Sequence, residues 1–153
     1  MQLPVIIHYI KTSWLARNRK WAFVKMNQLQ NLLNECLIET KHVENAAVIN
    51  YKCSTVVAAS TRFNIQPQQV QKFAEAFKQT KSIREEGLYF QDNNYTCVRA
   101  DKNSIYSKSN DQGLILAKTG TYILVATYCE EMYPSVCVEA VEKLADYLRE
   151  KGK

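Results

Sequence analysis

From Met26 onward the apolar positions fall into a regular alternation of helical and strand periods. Leu29, Leu32, Leu33, Cys36 and Leu37 follow the i, i+3, i+4, i+7, i+8 spacing of one buried helical stripe. Two short apolar segments, 43–50 and 55–60, then read as strands, with the polar NYKCS between them as a hairpin turn. In FNIQPQQVQKFAEAF, Pro67 can open a helix because its missing N–H would have no intrahelical partner there. Val70, Phe73, Ala74 and Phe77 form the apolar face of that helix.

After Gly87 the period changes to that of strands. GLYFQ and YTCVRA are separated by the turn signal DNN, and SIYSK and GLILAK by SNDQ. TYILVATY is apolar or aromatic on both alternating faces apart from two threonines, as in a strand buried on both sides, so helices are expected on both faces of the sheet. Pro134 stops that strand and starts a last helix. Its stripe is Cys137, Val141, Leu144 and Leu148, while Glu139, Glu142, Lys143 and Asp146 are expected to point away from the sheet. The order is helix, two strands, helix, five strands, helix, which places the chain in the α+β class.

The 153 residues suit one domain with one core, and no apolar run is long enough to span a bilayer. The formal charge of +5 is unevenly placed. Residues 1–25 hold Lys11, Arg17, Arg19, Lys20 and Lys25 and no acid, whereas from Met26 onward 15 basic residues balance 15 acidic ones. A neutral body offers no net field to a nucleic acid. The five cysteines are odd in number, form no CxxC and lie in or beside apolar segments, which reads as reduced thiols in a cytoplasmic protein. Two histidines, His8 and His42, are too few for a zinc site at these spacings, so no metal is expected. With no Gly-rich phosphate loop and no convincing nucleophile–base pair, neither an enzyme nor a cofactor is expected.

The segment MQLPVIIHYIKTSWLARNRKWAFVK lacks the basic start, continuous apolar core and cleavage site of a secretory signal. It is basic and acid-free like a transit peptide but has one serine. It reads as a poorly ordered extension upstream of a second start at Met26. The alternative is a membrane-touching arm, since Trp14 and Trp21 lie beside Arg and Lys.

Six strings occur in an order that resembles the profilin family: AAVINY (46–51), FNIQP (63–67), GLYF (87–90), YTCVR (95–99), KTG (118–120) and MYPSVC…LADYL (132–148). GLYF with CVRAD, and MYPSVCVEA with DYLREKG, look most like a divergent, testis-type vertebrate branch. The resemblance covers residues 26–153. It implies a central antiparallel sheet with the N- and C-terminal helices packed on one face and a further helix on the other. It also implies three partners: actin monomers, proline-rich peptides and phosphoinositides.

For proline-rich peptides the family supplies a Trp and a Tyr from the first helix, where MNQLQNLLNECL has no aromatic, and a further Trp where Val57 stands. Tyr147 and Leu148 match the groove on the last helix and are its remnant. On the actin face Arg99 and Lys108 match family basic positions, whereas Tyr106, Val138 and Glu139 depart from an Arg, an Asn and a commonly basic residue. For acidic phospholipid the candidates are Arg99, Lys102, Lys108, Lys118 and Arg149, with Lys151 and Lys153 at the terminus. The resemblance therefore implies a non-enzymatic, cytoskeleton-associated adaptor that binds phosphoinositides, with weak or absent actin binding and weak binding of proline-rich peptides. The alternatives are a conventional actin-monomer-binding profilin and a protein-partner scaffold using the 130–134 loop and Tyr147.

Overall fold

A computed structural model describes residues 21–153, with side chains from Gln28 onward. The described elements are α1 (Trp21–Cys36), a 3₁₀ turn (Ile38–Thr40), β1 (Asn45–Asn50), β2 (Thr55–Ala59), α2 (Pro67–Ala76), α3 (Thr80–Glu86), β3 (Leu88–Phe90), β4 (Asn93–Ala100), β5 (Ser104–Ser109), β6 (Gln112–Lys118), β7 (Tyr122–Tyr128) and α4 (Pro134–Glu150). The seven strands form one antiparallel sheet in the order β2-β1-β7-β6-β5-β4-β3.

The sheet has a core on each face. On one side Leu29, Leu32, Leu33, Cys36 and Leu37 of α1 meet Cys137, Val141, Leu144, Tyr147 and Leu148 of α4 over Ile115, Ala117, Leu124 and Ala126. On the other, Val70, Phe73 and Phe77 of the α2 segment pack with Phe63 and Phe90 over Leu114, Leu116, Ile123 and Val125. Every residue of β7 is buried, as its unbroken apolar run predicts. Burying a side chain such as Leu33 contributes about 1.5–3 kcal/mol.

The fold is the expected one, with differences in detail. The first helix begins at Trp21 rather than near Met26; the rest of the proposed extension lies outside the described residues. The short helix α3 was not expected: it buries no residue fully and has no apolar stripe, only the half-buried Ile83. The β3–β4 turn is Gln91-Asp92, both with positive φ (48° and 65°), in place of the expected DNN. At Gly113 a Cβ would overlap the Tyr128 ring laid across β6, so only glycine fits. Side chains cap both flanks of the sheet. Gln30 of α1 accepts the Ala59 N–H (3.2 Å) and donates to the Ala59 carbonyl (2.9 Å), closing part of the β2 edge. Arg84 of α3 donates to the Ala100 carbonyl of β4 (2.6 Å).

Candidate functional site

Three groups of side chains hold the residues that the sequence singles out. The first is the part of the sheet not covered by α4, where β4, β5 and one flank of the helix meet. Arg99 pairs with Tyr106 across the β4–β5 ladder, one residue beyond a register shift that leaves Val98 67% exposed. Its guanidinium lies 5.5 Å from the Tyr106 ring and donates through Nε and Nη2 to Asp101 (3.2 and 3.1 Å). That bond to Asp101 is the main reason the Arg99 pKa rises. Burial alone would raise Asp101; the N–H groups of Asn103 and Ser104, and then Arg99, bring it below the usual carboxylate value.

Glu142 was expected to point away from the sheet and does not. It lies on the flank of α4 beside β5 and accepts from the hydroxyls of Ser104 (2.7 Å) and Tyr106. Burial first, then this carboxylate, pushes the Tyr106 hydroxyl up to about 12. Arg99, Lys102, Ser104 and Tyr106 share an open depression with Asp101, Glu142 and Asp146. An anion there would meet three carboxylates for two cations. Lys108 is exposed on β5, Val138 is half-buried against the core, and Glu139 forms an ion pair with Lys143 (3.4 Å).

The second group is the seam between α1 and α4. Tyr147 and Leu148 are 4% and 2% exposed and belong to the core. Burial is the main reason the Tyr147 pKa rises. Lys151, one turn on, sits 5.6 Å from its ring. Tyr147 and Leu148 thus pack between the helices, and Val57 likewise lies against that core.

The third group is the end of the sheet where β6 stops. Arg149 donates through Nε and Nη2 to the Lys118 carbonyl (3.2 and 2.8 Å) and through Nη1 to Asp146 (2.8 Å), tying α4 to β6. The Lys118 ammonium lies 5.2 Å from the Tyr51 ring, and the Tyr51 hydroxyl donates to the carbonyls of Thr119 and Gly120 (3.1 and 2.9 Å). The chain ends on the same turn, where the Lys153 carbonyl accepts the Thr121 N–H (3.1 Å). These contacts bring Lys118 and Arg149, the latter paired with Asp146, to the end of the sheet that also holds Tyr51 and the Lys153 backbone. Tyr51 was not singled out in the sequence, since a turn of NYKCS carries no signal of what it touches. Glu142 and Asp101 were missed because helical period marks burial, not hydrogen bonding along a flank.

Among the described residues no group of His, Cys, Asp and Glu is placed to hold a metal ion, and no helix is long and apolar enough to cross a membrane.

The profilin family matches residues 27–153. Profilin-4 of Bos taurus is 51% identical over 128 residues, covering 83% of this chain and 99% of that protein. The crystal structure of Acanthamoeba castellanii profilin II superposes with a TM-score of 0.76 at 35% identity, covering 81% of this chain and 98% of that one. Rat profilin 2a, at 17% identity and a TM-score of 0.66 over 84% of this chain and 99% of that one, shares the fold.

Proposed function

The chain belongs to the profilin family, and on that premise we propose a cytoskeletal adaptor that binds acidic phospholipid, phosphoinositide above all, and binds actin monomers and proline-rich peptides weakly or not at all. Family members are non-enzymatic, actin-binding regulators of the cytoskeleton. The domain is residues 26–153, preceded by a basic extension, and it works in the cytoplasm. The observation that carries the lipid reading is the basic pole at the end of β6. Lys118 lies over the Tyr51 ring, and Arg149 is fixed to the Lys118 carbonyl. Clustered cations near an anionic surface contribute about 1 kcal/mol each, and they need no shape match.

Weak actin binding follows from the other face. The charge of Arg99 is shared with Asp101, Tyr106 gives its hydroxyl to Glu142, and Glu139 adds an acid where the family commonly has a base. Of the five lipid candidates, Arg99 and Arg149 each share their charge with an aspartate, Asp101 and Asp146, and Lys118, set on the Tyr51 ring, therefore carries more of the attraction than Arg99. Weak binding of proline-rich peptides follows from the seam, where Tyr147 and Leu148 are buried.

Sedimentation with phosphoinositide liposomes beside an actin-monomer assay tests the reading. The expected result is liposome binding at low salt, weakened more by Lys118→Glu than by Arg99→Glu, with slight actin binding throughout. Micromolar actin binding with no liposome binding would replace this reading with that of a conventional actin-monomer-binding profilin.

A further inference from the structure

The face of the sheet away from α1 and α4 holds a surface that neither the lipid nor the actin reading uses. There the segment before α2, the first turns of α2 and the β3–β4 turn border an open depression of about 320 Å³. Ile65 and Phe90, both buried, form its floor, and the exposed Asn64, Gln66, Gln68 and Gln91 form its rim. The Gln91 side chain donates to the Asn64 carbonyl (3.4 Å), which ties the turn to the segment before the helix.

Gln69, which also lines the depression, supplies the first pointer to a ligand. Its Nε2 is buried and has no hydrogen-bond acceptor among the described residues. A buried donor without a partner is destabilising, and an acceptor brought to it removes that penalty. Lys72 supplies the second. It lines the depression three residues on from Gln69, on the same helical face, and it is exposed and forms no ion pair among the described residues. No acid lines the depression. The start of α2 adds to the positive field, since no side chain caps it at Gln66 and the N-terminal end of a helix favours a negative charge.

We propose that this depression captures the C-terminus of a partner protein, with the terminal carboxylate on Gln69 and Lys72 and an apolar last side chain on Ile65 and Phe90. A carboxylate supplies the acceptor that Gln69 lacks and one charge for the one cation, whereas a phosphate dianion would leave a charge unmatched. The rim decides between a peptide and a free aliphatic acid. Asn64, Gln66, Gln68 and Gln91 carry side-chain amides, whose donors and acceptors match the C=O and N–H groups of a peptide backbone and find no partner on a hydrocarbon chain.

The test uses the full chain and the peptide Gly-Ser-Gly-Ser-Val-Leu, labelled with fluorescein at its N-terminus and titrated at low salt by fluorescence anisotropy. Its free-acid form is expected to bind about tenfold more tightly than its C-terminal amide. Lys72→Gln should remove most of that difference, whereas Lys78→Gln, beyond the end of α2, should leave it unchanged. Gln69→Leu should weaken the free acid several-fold while raising the melting temperature of the unliganded protein, because the unmade donor is gone. That pair of readouts separates lost binding from lost folding. Isocaproate, which is leucine without its amino group, should compete only at far higher concentration than the unlabelled peptide. Equal affinity for acid and amide, indifference to Lys72→Gln or Gln69→Leu, or equal competition by isocaproate would each overturn the proposal.

Discussion

Tyr106 donates its hydroxyl to Glu142 in the seam between β5 and α4, and its pKa is pushed up to about 12, first by burial and then by that carboxylate. Burial also pushes the thiols of Cys36 and Cys137 up to about 12, with Glu35 and Glu39 adding to the effect at Cys36. These groups lose a proton more readily unfolded than folded, so between their ordinary values, 9 for cysteine and 10 for tyrosine, and about 12 the folded chain holds more protons. The stability they contribute is present below pH 9 and is lost as pH rises toward 12. The melting temperature should therefore fall steadily across that window, and Cys137→Ala should flatten the slope even though the cavity lowers the whole curve. A flat alkaline profile in the parent protein would contradict the assignment. The same burial makes Cys36 and Cys137 poor nucleophiles, while Cys53 is exposed. A thiol reagent at neutral pH should label Cys53 well before either, as peptide mapping would show.

At the scale of elements, side chains that bond to backbone do as much to define the surfaces as the apolar stripes do. Gln30 clamps Ala59 through both atoms of its amide. Leu29 and Leu33, near the positions where the family carries aromatics for proline-rich peptides, are buried against α4. Restoring aromatics on α1 thus has a structural cost. Gln30→Trp should lower stability by about 1–3 kcal/mol because the Ala59 N–H and carbonyl lose their partners, and any gain in affinity for a proline-rich peptide should come with a lower denaturant midpoint. Gly113→Ala should cost more, on the order of 3 kcal/mol, since the new methyl group must displace the Tyr128 ring from buried packing.

These positions also show what could be read from the chain. The stripes of α1, α2 and α4 and the doubly buried β7 were legible because burial imposes a period on apolar residues. Gln30, Arg84 and Glu142 act through single polar contacts, and such contacts impose no period. The Gln91-Asp92 turn has no glycine to announce its two positive φ values. The basic candidates can be named from the sequence as residue types. Which of them meets a carboxylate, as Arg99 meets Asp101 and Arg149 meets Asp146, is shown only by the folded arrangement.

For the whole molecule, a body with as many bases as acids is still electrically uneven. β6 and β7 run in opposite directions across the sheet, so Lys118 and Tyr122 lie at one end and Gln112 and Tyr128 at the other. Lys52, Lys118, Arg149, Lys151 and Lys153 gather toward the first end, and Asp111, Glu130 and Glu131 toward the second. A seven-residue strand is about 20–24 Å long, more than twice the Debye length of about 8 Å at physiological ionic strength. Attraction to an anionic surface should therefore come from the first end alone. Lys118→Glu should weaken sedimentation with phosphoinositide liposomes several-fold, whereas Asp111→Asn at the far end should leave it nearly unchanged. If the two substitutions alter liposome binding alike, the segregation of charge along the strands does not govern binding.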